Sequence, residues 1–182
     1  MKCGIVYAST SGSTRVVANI IADALPASAD MFDLSDWPEQ EFVFARTEFD
    51  LVFLGTPTYG EGDWHYLWQR HGSRVAAVLP AFGKVGLFAL GDQRGHRRSF
   101  AGGLLPLADL AHRMGMRCIA GSSADRFAFE HAPALECGRF PGLVIDYKRE
   151  HRQAWQLVET WLEGVVEVQP SRLLPRKSRI AV

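Results

Sequence analysis

Three short segments carry the residues that could do chemistry. The first lies within Ile5–Ile21, "IVYASTSGSTRVVANII", where an apolar run gives way to Ser9, Thr10, Ser11, Gly12, Ser13 and Thr14 before apolar spacing resumes. A helix start offers unpaired N–H groups and a partial positive charge of about +0.5, which suits an anion. Hydroxyls beside it add neutral donors, and Gly12 lets the main chain come close. The segment therefore suits a phosphate dianion held without a cationic side chain, Arg15 being the one charge nearby. An ordinary capped turn has a similar composition, because Ser and Thr favour that position anyway. Neither the dinucleotide fingerprint nor the P-loop pattern is present.

The second segment, "GTPTYGEGDW" (Gly55–Trp64), combines glycines, hydroxyls, a proline and two large aromatics. Tyr59 and Trp64 at a loop tip could stack on a flat ligand, or could fold back over the core. The third, "LGDQRGHRRSF" (Leu90–Phe100), offers Asp92 as an acceptor for a ring imide, N–H groups for ring carbonyls, and His96 as a second flat group. It can also be read as a turn with a solvated charge run at Arg94, Arg97 and Arg98. No nucleophile motif accompanies the histidines, and neither His nor Cys spacing suits zinc. Cys3, Cys118 and Cys137 are odd in number and lack a CxxC pair, as expected of thiols in a reducing cytoplasm.

These segments need strands and helices to bring them together. The runs "CGIVYAS", "DLVFLGT" and "KVGLFALGD" lack polar alternation, as strands covered on both faces do. Val17, Ile20, Ile21 and Ala24 form one helical stripe ending near Pro26. Leu104, Leu107, Ala108 and Ala111 form another before Gly115, and Ala154, Trp155, Val158, Trp161 and Leu162 a third. A further helix is expected over about 66–78. Short strands are expected around Asp30–Leu34 and Arg117–Ala120, and "GLVID" (Gly142–Asp146) reads as strand again. The last strand is thus interrupted by a long loop over about 122–141. Alternating strands and helices predict a doubly wound α/β sandwich, whose ligands bind at the carboxyl ends of the strands. Each of the three chemistry-bearing segments follows one of the apolar runs.

At 182 residues the chain suits one domain. No apolar run approaches the roughly 20 residues of a membrane span, and the N-terminal segment is too short for a signal peptide. Lys and Arg total 20, as do Asp and Glu, but the balance is uneven: Arg172, Arg176, Lys177 and Arg179 face only Glu167 at the C-terminal end. The remainder is slightly acidic, which excludes the basic face of a general nucleic-acid binder.

With these residues in view, the sequence resembles the flavodoxin family, long-chain type, over about residues 2–165. The family's phosphate loop, Thr/Ser-x-Thr/Ser-Gly-x-Thr, is matched by Ser9, Ser11, Gly12 and Thr14. Its first flavin-ring loop is matched by Pro57, Thr58, Tyr59, Gly60 and Glu61, with Gly62 following, and its second by Gly91, Asp92, Gln93 and Gly95, with Leu90 before it. Asp146 sits where the family's ribityl-contacting carboxylate is expected, and the interrupted last strand is the long-chain hallmark. His96 departs from the family's stacking Tyr and offers less stacking area.

The resemblance implies a five-stranded parallel sheet of order 2-1-3-4-5 with helices on both faces, in an FMN-binding domain over 1–165 followed by a basic tail over 166–182. It implies a soluble FMN-containing one-electron carrier between an NAD(P)H-dependent flavodoxin reductase and acceptor proteins. The carrier would be a cytoplasmic monomer with no nucleic-acid or membrane partner. The Gly60–Glu61 carbonyl would turn to accept from flavin N5–H on reduction. Positive charge at Arg94, Arg97 and Arg98 predicts a less negative potential for the step that makes the ring anionic. The alternative is an FMN-dependent NAD(P)H oxidoreductase acting on quinones or similar acceptors, which the arginines near the ring would suit. A module that has lost its flavin is disfavoured because all three ligand loops remain.

Overall fold

The computed structural model of the chain describes residues 1–26, 28–79 and 83–166. Its strands and helices run in the order β1 (Lys2–Tyr7), α1 (Ser13–Ala24), β2 (Ser28–Asp33), α2 (Trp37–Arg46), β3 (Leu51–Pro57), α3 (Tyr66–Val78), β4 (Lys84–Gly91), α4 (Leu104–Arg113), β5 (Arg117–Ile119), β6 (Ser122–Ser123), β7 (Arg139–Phe140), β8 (Leu143–Asp146), α5 (Tyr147–Glu150) and α6 (Ala154–Val166). Parallel pairing places the main sheet in the order β2-β1-β3-β4-β5, as expected for a doubly wound fold.

The strands are apolar throughout because both sheet faces are covered, and their two-residue period divides the side chains between two layers. Val6, Val52, Leu54, Leu87 and Ala89 face Trp68 and Val75 of α3 and Leu104 and Leu107 of α4. Ile5, Phe53, Phe88 and Ile145 face Val17 and Ile21 of α1 and Val158, Trp161 and Leu162 of α6. With both layers dry, a one-residue slip of any central strand would move every side chain into the wrong layer, so the register is firmly specified.

The last sheet position is filled by two separate pieces of chain. β5 pairs with Lys84–Gly86 of β4, and β8 continues along the same edge opposite Phe88–Gly91. The residues between them leave the sheet and return, which is the expected interruption. Within the excursion β6 and β7 form a small antiparallel ladder.

Two features depart from expectation. β2 begins at Ser28, two residues early. α2 was not legible as a helix because Phe42 and Val43 point outward, 63% and 55% exposed, so its apolar residues trace no single stripe. The expected basic tail lies, beyond its first residue, outside the described residues.

Candidate functional site

The segment after β1 becomes the entry to α1. Gly12, at φ 88°, is the N-cap and offers no side chain for capping, so the first N–H groups of the helix keep their donors for another acceptor. Ser9 Oγ accepts from the Gly12 N–H at 3.1 Å and closes the loop on itself. Ser11 and Ser13 hydroxyls stand 3.5 Å apart. Thr10, exposed at the loop, has its Oγ1 2.7 Å from His65 Nε2.

The segment after β3 is a closed turn anchored to its neighbour. The Thr58 N–H donates to Leu90 O of β4 at 3.0 Å. Tyr59 N–H donates to Asp63 O, and Asp63 N–H to Tyr59 O, both at 2.8 Å, with Gly60 in the left-handed region at φ 48°. The two aromatics diverge. Trp64 folds back and stacks on Trp68, ring centroids 5.9 Å apart, whereas Tyr59 stays 39% exposed beside the site. Glu61 lies on the exposed side of the same turn.

The segment after β4 is held from two directions. Asp92 accepts from the N–H groups of Arg94 and Gly95, from Lys148 Nζ at 2.7 Å and from Arg149 Nη1 at 3.0 Å. The Lys148 hydrogen bond, helped by the Gly95 N–H, holds its carboxyl well below the usual carboxylate range. The carboxylate that could have met a ring imide is thus engaged by α5 and its own turn. Gln93 turns its side chain away to accept the Ala128 N–H at 2.7 Å. His96 is half-buried, its N–H donating to Asp92 O. Arg97 and Arg98, expected as free charges, each pair with Glu130 at 3.1 and 2.9 Å. Glu130 and His131 return N–H donors to Arg97 O. The insertion between β5 and β8 therefore wraps onto this loop, and its Phe127 and Phe129 rings pack on Phe100, 4.8 and 5.3 Å between centroids.

Asp146 ends β8, level with Gly91 of β4, and is fully buried. Its Oδ2 accepts from Arg149 at 2.8 Å and from the Gln93 N–H at 3.3 Å. Among the described residues its Oδ1 has no hydrogen-bond partner. A buried acceptor without a donor is costly, and a polyol hydroxyl is a chemically suitable donor.

The sheet order thus brings the segments after β1, β3 and β4 and the end of β8 to one end of the fold. Missed from the sequence were His65, buried under two of these loops, and Glu130, Lys148 and Arg149, which reach the third from 32 to 57 residues away in the chain. The Asp-Trp-His run before α3 was the available signal for His65. Among the described residues no cluster of His, Cys, Asp and Glu could hold a metal ion, and no helix is long and apolar enough to cross a membrane. Burial pushes the Cys3 thiol up to about 11 and keeps it unreactive.

The chain matches the flavodoxin family over residues 5–161. It is 30% identical to a flavodoxin of Klebsiella pneumoniae, covering 89% of this chain and 95% of that protein. It is 29% identical to one of Helicobacter pylori, covering 90% and 96%. Among solved structures, a Fusobacterium nucleatum flavodoxin bound to flavin mononucleotide superposes with a TM-score of 0.82 at 24% identity, over 92% of this chain and 98% of that one.

Proposed function

Because the chain belongs to the flavodoxin family, we propose that it binds FMN and carries single electrons between an NAD(P)H-dependent flavodoxin reductase and acceptor proteins. The observation that carries this proposal is that an uncharged hydroxyl loop at a helix start and the buried Asp146 Oδ1, unpartnered among the described residues, lie at the same end of the sheet. Phosphate and ribityl chain need those two kinds of group. The oxidoreductase alternative is not favoured by the relatives the chain matches.

FMN, when bound, supplies the electron-transfer chemistry; the protein binds, orients and tunes it. The hydroxyls of Ser9, Thr10, Ser11, Ser13 and Thr14 and the first N–H groups of α1 would hold the phosphate. Asp146 Oδ1 would accept from a ribityl hydroxyl. Tyr59 and His96 would flank the ring, with Pro57, Thr58, Gly62, Leu90, Gly91, Gln93 and Gly95 shaping the walls. Gly60, already left-handed, would let its carbonyl serve as acceptor for a ring N–H. Residues 1–165 would form the FMN domain, of the long-chain type by its interrupted last strand, working as a cytoplasmic monomer whose partners are proteins.

The test is the absorption spectrum of the purified chain, its uptake of FMN at micromolar concentration, and reductive titration of the complex. A yellow protein that accepts electrons one at a time is expected. A colourless chain that takes up no FMN would end the proposal.

A further inference from the structure

We propose that His65 is a positioning residue for the anion loop: fixed at the start of α3, its ring donates to the Thr10 hydroxyl and so turns the Thr10 proton toward the cofactor phosphate. The inference rests on the FMN proposal and adds to it a residue that acts through Thr10.

The proton positions follow from the heavy atoms. His65 is the N-cap of α3, and its Nδ1 accepts the Leu67 N–H at 3.1 Å. Nδ1 therefore carries no proton, since two N–H groups cannot point at each other across that distance, and the neutral ring must carry its proton on Nε2. Nε2 lies 2.7 Å from Thr10 Oγ1, so the ring donates and the hydroxyl accepts. A hydroxyl that accepts at one lone pair is left with its own proton to give. Thr10 is exposed in the loop, and that proton is available to whatever occupies it.

The ring has little freedom to do otherwise. His65 is 1% exposed, and burial pushes its imidazole below the usual value, against a smaller opposing effect of Asp33. The backbone N–H of His65 donates to Thr56 Oγ1 at 3.0 Å. Tyr66 stacks on the ring at 4.5 Å, and Tyr59 of the first ring loop lies 5.5 Å away. Without this donor the Thr10 hydroxyl would rotate freely, and ordering it would have to be met by the phosphate alone.

The test compares FMN with riboflavin, which lacks the phosphate, by fluorescence titration of wild type, His65→Asn, Thr10→Val and the double variant. Asn retains a capping oxygen for the Leu67 N–H but does not reach Thr10. We expect His65→Asn to weaken FMN about tenfold, the loss of one aligned hydrogen bond to a charged group, with riboflavin affinity within about twofold of wild type. It should add nothing in the Thr10→Val background. FMN affinity equal to wild type, a parallel loss of riboflavin, or full additivity would overturn the proposal. Nitrogen NMR of the wild-type imidazole gives a second readout that needs no variant: the Nε2–H tautomer is expected, and an Nδ1–H or cationic ring would refute the proposal even if His65→Asn failed to fold. Should wild type bind neither flavin, FMN binding itself fails, and with it this inference. Should it bind both while His65→Asn is silent, only this inference falls.

Discussion

Gly102 meets Gly62 backbone against backbone: a Cβ on Gly102 would stand 2.7 Å from both the Cα and the carbonyl oxygen of Gly62. The turn that leads into α4 thus sets the depth of the loop after β3. Gly102→Ala must push that loop outward. We expect a loss of about 1–3 kcal/mol in stability, as for other overpacked sites, and FMN affinity weakened at least tenfold. Urea unfolding and FMN titration measure the two. A variant as stable and as tight-binding as wild type would show that the loop yields without consequence.

Gly60 holds φ 48° in a turn closed on both sides by Tyr59 and Asp63. A β-branched side chain there is strained by about 1–2 kcal/mol, whereas Asn tolerates the left-handed region. Gly60→Val is expected to make the first one-electron potential more negative, because the carbonyl turns less readily. Gly60→Asn should lie between Val and wild type. Redox titration checks the order.

Glu130 neutralises part of the positive charge on the loop after β4, which the FMN proposal places beside the ring, through Arg97 and Arg98. Removing its charge favours an anionic ring. Both partners stand in solvent, which screens the effect but does not change its sign. Glu130→Gln should therefore make the second reduction potential less negative by tens of millivolts, and Arg97→Gln should move it the other way. Equal potentials in all three proteins would mean that the ion pairs lie too far out in solvent to matter.

Asp92 is held as a carboxylate by Lys148, by two N–H groups and by Arg149. Its folded-state pKa lies below the unfolded value of about 3.9, so its contribution to stability is present above that value and disappears as pH falls through the folded one. Asp92→Asn should be less stable than wild type at pH 7, with the gap narrowing below about pH 4. Urea midpoints at several pH values test this; a gap independent of pH would assign the effect to packing.

The strand pattern and the positions of the three loops at the strand ends were legible because each rests on local chemistry. Continuous apolar runs such as Leu51–Gly55, short and bounded by turn residues, read as strands covered on both faces, and a cluster of hydroxyls between strand and helix marks its own position. α2 escaped because Phe42 and Val43 face outward and hide its period. The partners of Asp92 escaped for a different reason. Lys148 and Arg149 follow it by more than fifty residues, and only the return of the chain through β8, beside β4, brings them near. His65 was hidden by its neighbours: next to Trp64 and Tyr66 it reads as one more aromatic, and only the fold places its ring under Thr10.

The broken last strand has a consequence for how the molecule meets its own kind. The rim of a parallel sheet normally displays a row of unpaired amides and carbonyls to which a foreign chain can add itself. Here Gly142 O is capped by both the N–H and the hydroxyl of Ser122, and Val144 O by the Arg126 guanidinium. What remains beside them is the three-residue stub of β5. The excursion that wraps onto the loop after β4 also blunts this border of the sheet against unwanted strand exchange and fibrillar growth.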